Sequence, residues 1–219
     1  MKYDWSVVWQ YRDQLAEGVA ITVLLTIITM AVAIPGGVAV MMLRQSKIKP
    51  ITWLGTAFVE FFRNLPLILL IYWAFYVLPI LVEWTVSAFA TGVIALALAI
   101  SAYNAETFRA GVNSIRKGQS DAALALGMSR WQVMYKVVLP QAVRRILPVL
   151  ASTWVSLFKD TSLVSVIAVG ELAYTSMQIR SQTFRILEML TAMAVIYWCL
   201  GYPQAKLVDW IHRKYGVKE

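Results

Sequence analysis

The sequence predicts an all-α membrane protein of five transmembrane helices, with the N-terminus outside and the C-terminus in the cytoplasm. Three observations carry this. Of 219 residues, 59% are hydrophobic and only 15% charged, and the mean hydropathy is +0.64. Apolar runs of about 18 residues or more recur along the chain, the length a bilayer core demands of a helix. The Lys and Arg residues outside those runs divide fourteen to four between alternate sides, and the richer side is the cytoplasmic one.

The N-terminal segment, residues 1–17, has no apolar core followed by a small-residue cleavage site, so the first apolar run is read as retained. Trp5 and Trp9, four apart, suit a short helix over residues 3–15 lying at headgroup level outside the membrane. The first span is expected at 18–43, where Pro35, Gly36 and Gly37 permit a kink or close packing. The second, 53–82, is bent by Pro66, which cannot donate to a helix ladder. The third, 85–108, is rich in Ala, Ser and Gly. Lipid gives helices no hydrophobic reason to associate, so small residues that admit close contact place this span inside the bundle. The fourth, 147–173, is interrupted by Lys159-Asp160-Thr161-Ser162, and the fifth covers 186–206. A basic cytoplasmic tail closes the chain at 213–219.

Between the third and fourth spans lies the most patterned polar stretch, residues 119–141. Ser120 is placed to cap a helix beginning at Asp121. Ala122 and Ala123 leave backbone open to close approach. Gly127 is placed to end that helix in a left-handed turn. Ser129 and Gln132 form a capping-box pair for a second short helix, which Pro140 ends or bends. The charge count puts this two-helix knob in the cytoplasm.

Charges inside the apolar regions are functional candidates. Lys159 and Asp160 are adjacent on a helix and do not face each other, so each needs its own partner. Thr161 and Ser162 are suited to satisfy backbone groups freed by a helix break. The same four residues also suit a purely structural break braced at a subunit interface. Glu60 with Arg63, and Glu106 with Arg109, share an acid-x-x-Arg spacing and read as ion pairs near the cytoplasmic boundary.

Several function classes are excluded. The sequence contains no phosphate-cradling G-x-x-x-x-G-K-[ST], so ATP hydrolysis is not expected here. One Cys and one His build neither a disulfide framework nor a metal cluster. The net charge of +8 has no soluble basic stripe with which to bind nucleic acid.

Asp121-Ala122-Ala123, Gly127 and Leu139-Pro140 together resemble the "EAA" loop of binding-protein-dependent ABC transporter permeases, with Asp121 where the family carries Glu. Further segments resemble the polar amino acid branch: Gly18 with Thr22, Phe62 to Leu67, Ala105 to Gly111 with Gly118-Gln119, and Lys159 to Leu163 with Glu171-Leu172. The likeness covers about residues 18–212, and its nearest flavour is the glutamate/aspartate importer permeases. The resemblance implies the type I ABC importer permease fold over 18–212 and residence in the bacterial inner membrane. It also implies a second permease subunit, identical or homologous, a dimeric ATPase gripping Asp121, Ala122, Ala123 and Gly127, and a periplasmic amino-acid-binding protein. ATP and Mg2+ would sit in the ATPase, with no cofactor on this chain. The rival readings are an ATP-independent secondary transporter or channel, marked by internal symmetry or intramembrane carboxylate relays that the sequence lacks, and the half of a heterodimer that does not touch the substrate.

Overall fold

The computed structural model describes residues 3–215. Met1, Lys2 and residues 216–219 lie outside it, and with them the ends of the expected 1–17 and 213–219 segments. Among the described residues nine helices follow one another: α1 (Ser6–Gln10), α2 (Arg12–Arg44), α3 (Lys49–Asn64), α4 (Leu67–Val82), α5 (Ala88–Asn113), α6 (Lys117–Ala125), α7 (130–160), α8 (Leu172–Thr183) and α9 (Ile186–Tyr215). Among the described residues there is no strand.

α5 is the axle of the bundle. In its most apolar stretch 67% of residues are buried, against 39% for α2 and 17% for α9. Its small residues explain the rank, because they let α2 approach closely along its length. A Cβ added at Gly36 would strike the Ser101 hydroxyl, and one at Gly37 would lie 2.6 Å from Asn104 Cβ. Ser101 Oγ and Asn104 Nδ2 both donate to the Ala33 carbonyl, at 3.4 and 3.3 Å. The Pro35-Gly36-Gly37 run therefore serves contact, and α2 continues through it to Arg44.

Other expectations need correction. No single helix covers 3–15: α1 has five residues and α2 begins at Arg12. Val7 is buried with Leu15, Leu172, Ile179 and Met189, and the Asp4 amide donates to Glu188 Oε1 at 2.9 Å. The region 53–82 bends at Pro66, as the sequence suggested. Leu65 is extended, as a residue before proline prefers, and α3 and α4 diverge there by 108°. In the fourth region the helix starts earlier than 147, at Arg130, and it is interrupted where Lys159-Asp160-Thr161-Ser162 stand, α7 ending at Asp160. A 3-10 turn, Thr161–Ile167, then leads through Ala168, at φ 61°, to α8.

Among the described residues three helices, α2, α5 and α9, are long and apolar enough to cross a membrane, and α3 with α4 make a fourth candidate as a bent pair. Leu139–Asp160 is not among them, because Arg144, Arg145, Lys159 and Asp160 lower its hydropathy. Large apolar side chains such as Trp53, Ile80, Trp84 and Trp198 point outward, the arrangement expected where lipid is the solvent.

Candidate functional site

The polar stretch folds as a knob with its own small core. α6 begins at Lys117, four residues before Asp121, and no side chain caps it. Ser120 is thus inside the helix, a correction to its expected capping role. The Gln119 amide closes the first turn on the Arg116 carbonyl at 2.9 Å, and the exposed first-turn amides need no cap when water reaches them. Gly127 ends the helix at φ 82°. Its amide reaches the Leu124 carbonyl at 2.9 Å and the Met128 amide reaches Ala123 at 3.2 Å, the paired bonds of a Schellman ending. Ser129 and Gln132 form both halves of a capping box.

The second helix of the knob is not short. Pro140 follows a π turn, Met134–Val138, and the helix runs on to Asp160. A wider turn accommodates a residue that lacks an amide donor. The same device precedes Pro79 in α4, after the π turn Trp73–Val77.

Asp121, Ala122 and Gly127 are exposed, whereas Ala123 is buried against Phe108, Ile115, Val133 and Ile146. Ala123 therefore anchors the knob instead of presenting backbone. Beside the exposed residues stand Leu126 (84% exposed), Trp131 (76%) and Tyr135 (66%). Sequence reasoning passed over these three. The available signal was large apolar residues inside an otherwise polar cytoplasmic stretch, which mark a contact surface.

At the far end of α7 the chain breaks as the Thr-Ser pair suggested. Thr161 Oγ1 donates to the Phe158 carbonyl at 2.7 Å, and Ser162 Oγ to the Lys159 carbonyl at 2.8 Å. Lys159 and Ser162 line a cavity of about 660 Å³ with Met177, Met193, Tyr197 and Trp198. Asp160 lines a different one, about 640 Å³, with Arg63, Tyr103, Thr107, Thr153 and Ser156. Among the described residues neither charge makes an ion-pair contact or a hydrogen bond.

The two acid-x-x-Arg spacings behave differently. Glu106 holds Arg109 at 2.7 Å and also meets Arg44 from the end of α2. Glu60 and Arg63 form no pair, which corrects that expectation. Asn64 Nδ2 reaches back to the Glu60 carboxylate at 3.2 Å, while the Arg63 guanidinium lies over the Tyr103 ring, 5.4 Å from its centre. Arg63 sits in the last turn of α3, beside the Pro66 bend, which turns it away from Glu60 and toward the groove.

A buried polar node joins segments far apart in sequence. The Glu171 carboxylate, fully buried, caps α8 by accepting from the Ala173 and Tyr174 amides, both at 2.8 Å. The Tyr197 hydroxyl of α9 donates to it at 3.0 Å. Thr22 of α2 accepts from the Leu172 amide at 3.2 Å and donates to the Gly18 carbonyl at 2.9 Å. Gly18 is required here, since a Cβ would lie 3.0 Å from Leu172 Cα. Tyr197 carried no sequence signal beyond being a polar-tipped aromatic within a span.

Among the described residues no group of three His, Cys, Asp or Glu is arranged to hold a metal. Comparison with known proteins agrees with the fold and with the motifs. The chain is 30% identical over 220 residues to the glutamate/aspartate import permease protein GltK of Escherichia coli O6:H1, covering 97% of this chain and 98% of that one. It is 34% identical over 202 residues to the glutamine transport system permease protein GlnP of Escherichia coli K12, covering 90% of each. A solved chain from an amino acid ABC transporter with histidines superposes with a TM-score of 0.92 at 30% identity, over 98% of this chain and 100% of that one. The fold is thus that of a type I ABC importer permease, a membrane component for amino acid import whose ATPase activity lies in a separate subunit and whose partners include a substrate-binding protein. Residues 33–217 match the family described as binding-protein-dependent transport system inner membrane component, and the chain belongs to that family.

Proposed function

We propose that the chain pairs with a second permease chain, and that the groove holding Arg63 and Asp160 forms half of the path taken by a polar amino acid. We further propose that its cargo is acidic, glutamate or aspartate. The observation that carries this is the groove itself: a largely apolar trough into which Arg63, Glu106 and Asp160 bring charge, with Thr107, Thr153 and Ser156 beside them. Such groups are costly against lipid and are retained where they line a pathway. Within it Glu106 is already answered by Arg44 and Arg109, while the Arg63 guanidinium lies over the Tyr103 ring and, among the described residues, makes no ion pair. A free guanidinium is the natural partner of a carboxylate.

On this reading the knob bearing Asp121, Ala122 and Gly127 seats the ATPase subunit, which alone holds ATP and Mg2+. The apolar residues Leu126, Trp131 and Tyr135 supply contact area around that seat. Closure of the ATPase moves the knob, and α7 carries the motion to the break at Lys159–Ser162.

The experiment is uptake into proteoliposomes holding the permease, the ATPase and the binding protein. A Cβ at Gly127 meets nothing within 4 Å, so Gly127→Asp costs the fold only about 1–2 kcal/mol of left-handed backbone strain. It places a charged side chain on the seat. The expected result is normal insertion with ATP hydrolysis uncoupled from uptake. Normal uptake by a well-inserted variant sinks the coupling role. Accumulation of glutamine in place of glutamate or aspartate sinks the acidic cargo while leaving the pathway in place.

A further inference from the structure

A second cavity, of about 500 Å³, adjoins the groove and plays no part in the pathway described above. It shares Arg63, Glu106 and Thr107 with the groove and continues to Ser114 and Arg145. Ser114 follows the last turn of α5, and α6 begins at Lys117, so this vestibule lies at the knob's end of the groove. Its charge is unbalanced. Glu106, the one acid on its wall among the described residues, already holds Arg109 at 2.7 Å and meets Arg44. Arg63 and Arg145 make no ion pair among the described residues.

Both guanidiniums are nonetheless held in place. Arg145 Nη1 donates to the Ser114 carbonyl at 2.7 Å, which ties α7 to the end of α5. The Nε–Nη2 edge is left over, two parallel donors that match a carboxylate. Arg63 is steadied by the Tyr103 ring. The Thr107 and Ser114 hydroxyls donate to carbonyls of the preceding turn, Tyr103 and Gly111, at 3.1 and 2.7 Å. The wall's free donors are therefore the two guanidiniums. Two fixed cations beside apolar side chains repel each other with little screening, and an anion between them relieves that repulsion.

We propose that the vestibule is a second anion site, entered from the cytoplasm, which takes the carboxylate of an acidic amino acid between Arg63 and Arg145. The site rests on the pathway reading above and adds a brake to it. A carboxylate bound there joins the end of α3 to α7, the helix that leaves the knob. A ligand shifts an equilibrium only by its differential affinity for the two states. One that ties α7 to α3 favours the arrangement described here over one in which the ATPase has moved the knob. Accumulated cargo therefore slows ATP turnover. Arg145 lines the vestibule and not the groove, so it separates this site from the path itself.

The full transporter is reconstituted in phosphatidylcholine vesicles, with the ATPase facing the bath and cargo-loaded binding protein in the lumen. ATP hydrolysis is followed as L-glutamate is added to the bath, against sodium chloride at matched ionic strength. The expected result is inhibition by glutamate beyond that by chloride. Arg145→Gln raises the half-inhibiting concentration by roughly tenfold or more, the worth of one charge-assisted hydrogen bond. Arg145→Lys keeps the charge but not the fork and falls between the two. A half-inhibiting concentration does not depend on how much active protein survives a substitution, so a weakened fold does not imitate the result.

Three outcomes overturn the proposal. Glutamate inhibits no more than chloride; Arg145→Gln leaves the inhibition unchanged, which puts the glutamate in the groove; or the inhibition is lost once phosphatidylglycerol joins the vesicles, which gives the two guanidiniums to a lipid phosphate. Failure of the pathway reading looks different: Arg63→Gln and Asp160→Asn then leave uptake at the starting rate. A cargo other than glutamate or aspartate alters uptake and not this readout.

Discussion

Replacing Glu171 by Ala tests whether the buried node is what holds the helix break in shape. Three bonds converge on that carboxylate, two from the Ala173 and Tyr174 amides and one from the Tyr197 hydroxyl. Loss of the cap costs about 0.5–2 kcal/mol. The Tyr197 hydroxyl, left without its carboxylate in a half-buried site, costs about 1–3 kcal/mol more. The combined loss centres on about 3 kcal/mol, and at about 2–4 °C per kcal/mol for a chain of this size it lowers the melting temperature by about 6–12 °C. Tyr197→Phe removes only one of the bonds and costs about 1 kcal/mol. Because the two side chains share a bond, the double variant Glu171→Ala/Tyr197→Phe falls short of the sum by about 1 kcal/mol. The assay is thermal unfolding of the four proteins in one detergent. A shift under about 2 °C for Glu171→Ala, or strict additivity in the double variant, refutes the node as a structural unit.

Two further outcomes follow from local geometry. A Cβ at Gly111 meets Ile146 Cδ1 at 2.5 Å, whereas one at Gly118 meets nothing within 4 Å. Gly111→Ala therefore loses about 1–3 kcal/mol by overpacking, while Gly118→Ala gains up to about 1 kcal/mol of helix propensity, and the same melting assay orders them. At the N-terminus, Asp4 accepts hydrogen bonds from the Ser6 hydroxyl and amide and lies 3.7 Å from Arg185. These hold its carboxyl below the ordinary carboxylate range, the Ser6 hydroxyl most of all. A depressed folded value stabilises above the unfolded one, near pH 4, and that contribution disappears as pH falls through the folded value. Acid titration followed by tryptophan emission, through Trp5 next to Asp4 in the chain, shows a transition below about pH 4 that Asp4→Asn abolishes.

What the sequence made legible was local chemistry and composition. The left-handed turn at Gly127 and the capping box at Ser129 depend on residues a few positions apart, and both stand where the spacing put them. The central place of the third apolar region followed from its small residues. The start of α6 was misplaced because an exposed helix end can be hydrated and does not require the Ser120 hydroxyl. The second knob helix was cut short because proline was weighed as a terminator, and a π turn offers it another way through. The Glu60–Arg63 spacing is compatible with a pair, but the bend at Pro66 and the Tyr103 ring won the guanidinium. The Glu171–Tyr197 bond joins positions 26 apart through the packing of α8 against α9, and no local pattern announces it.

The motifs that seemed scattered along the chain fall on one mechanical line. The knob at Lys117–Ala125 packs its buried Ala123 on Val133, near the start of α7. From Arg130 to Asp160 the backbone is helical without a break, about 45 Å at 1.5 Å per residue. A helix of that length transmits displacement best if its far end meets a part able to yield, and α7 ends in a 3-10 turn with Thr161 and Ser162 taking up the last carbonyls. Beyond the turn, Glu171 and Thr22 bind the start of α8 to α9 and α2, so the yielding segment is held at its other end. Force entering at Asp121, Ala122 and Gly127 would then be spent between a rigid rod and a fixed anchor, at Lys159 and Asp160. On this reading the coupling seat never meets the cargo, and the two adjacent charges are where its motion becomes access to the groove.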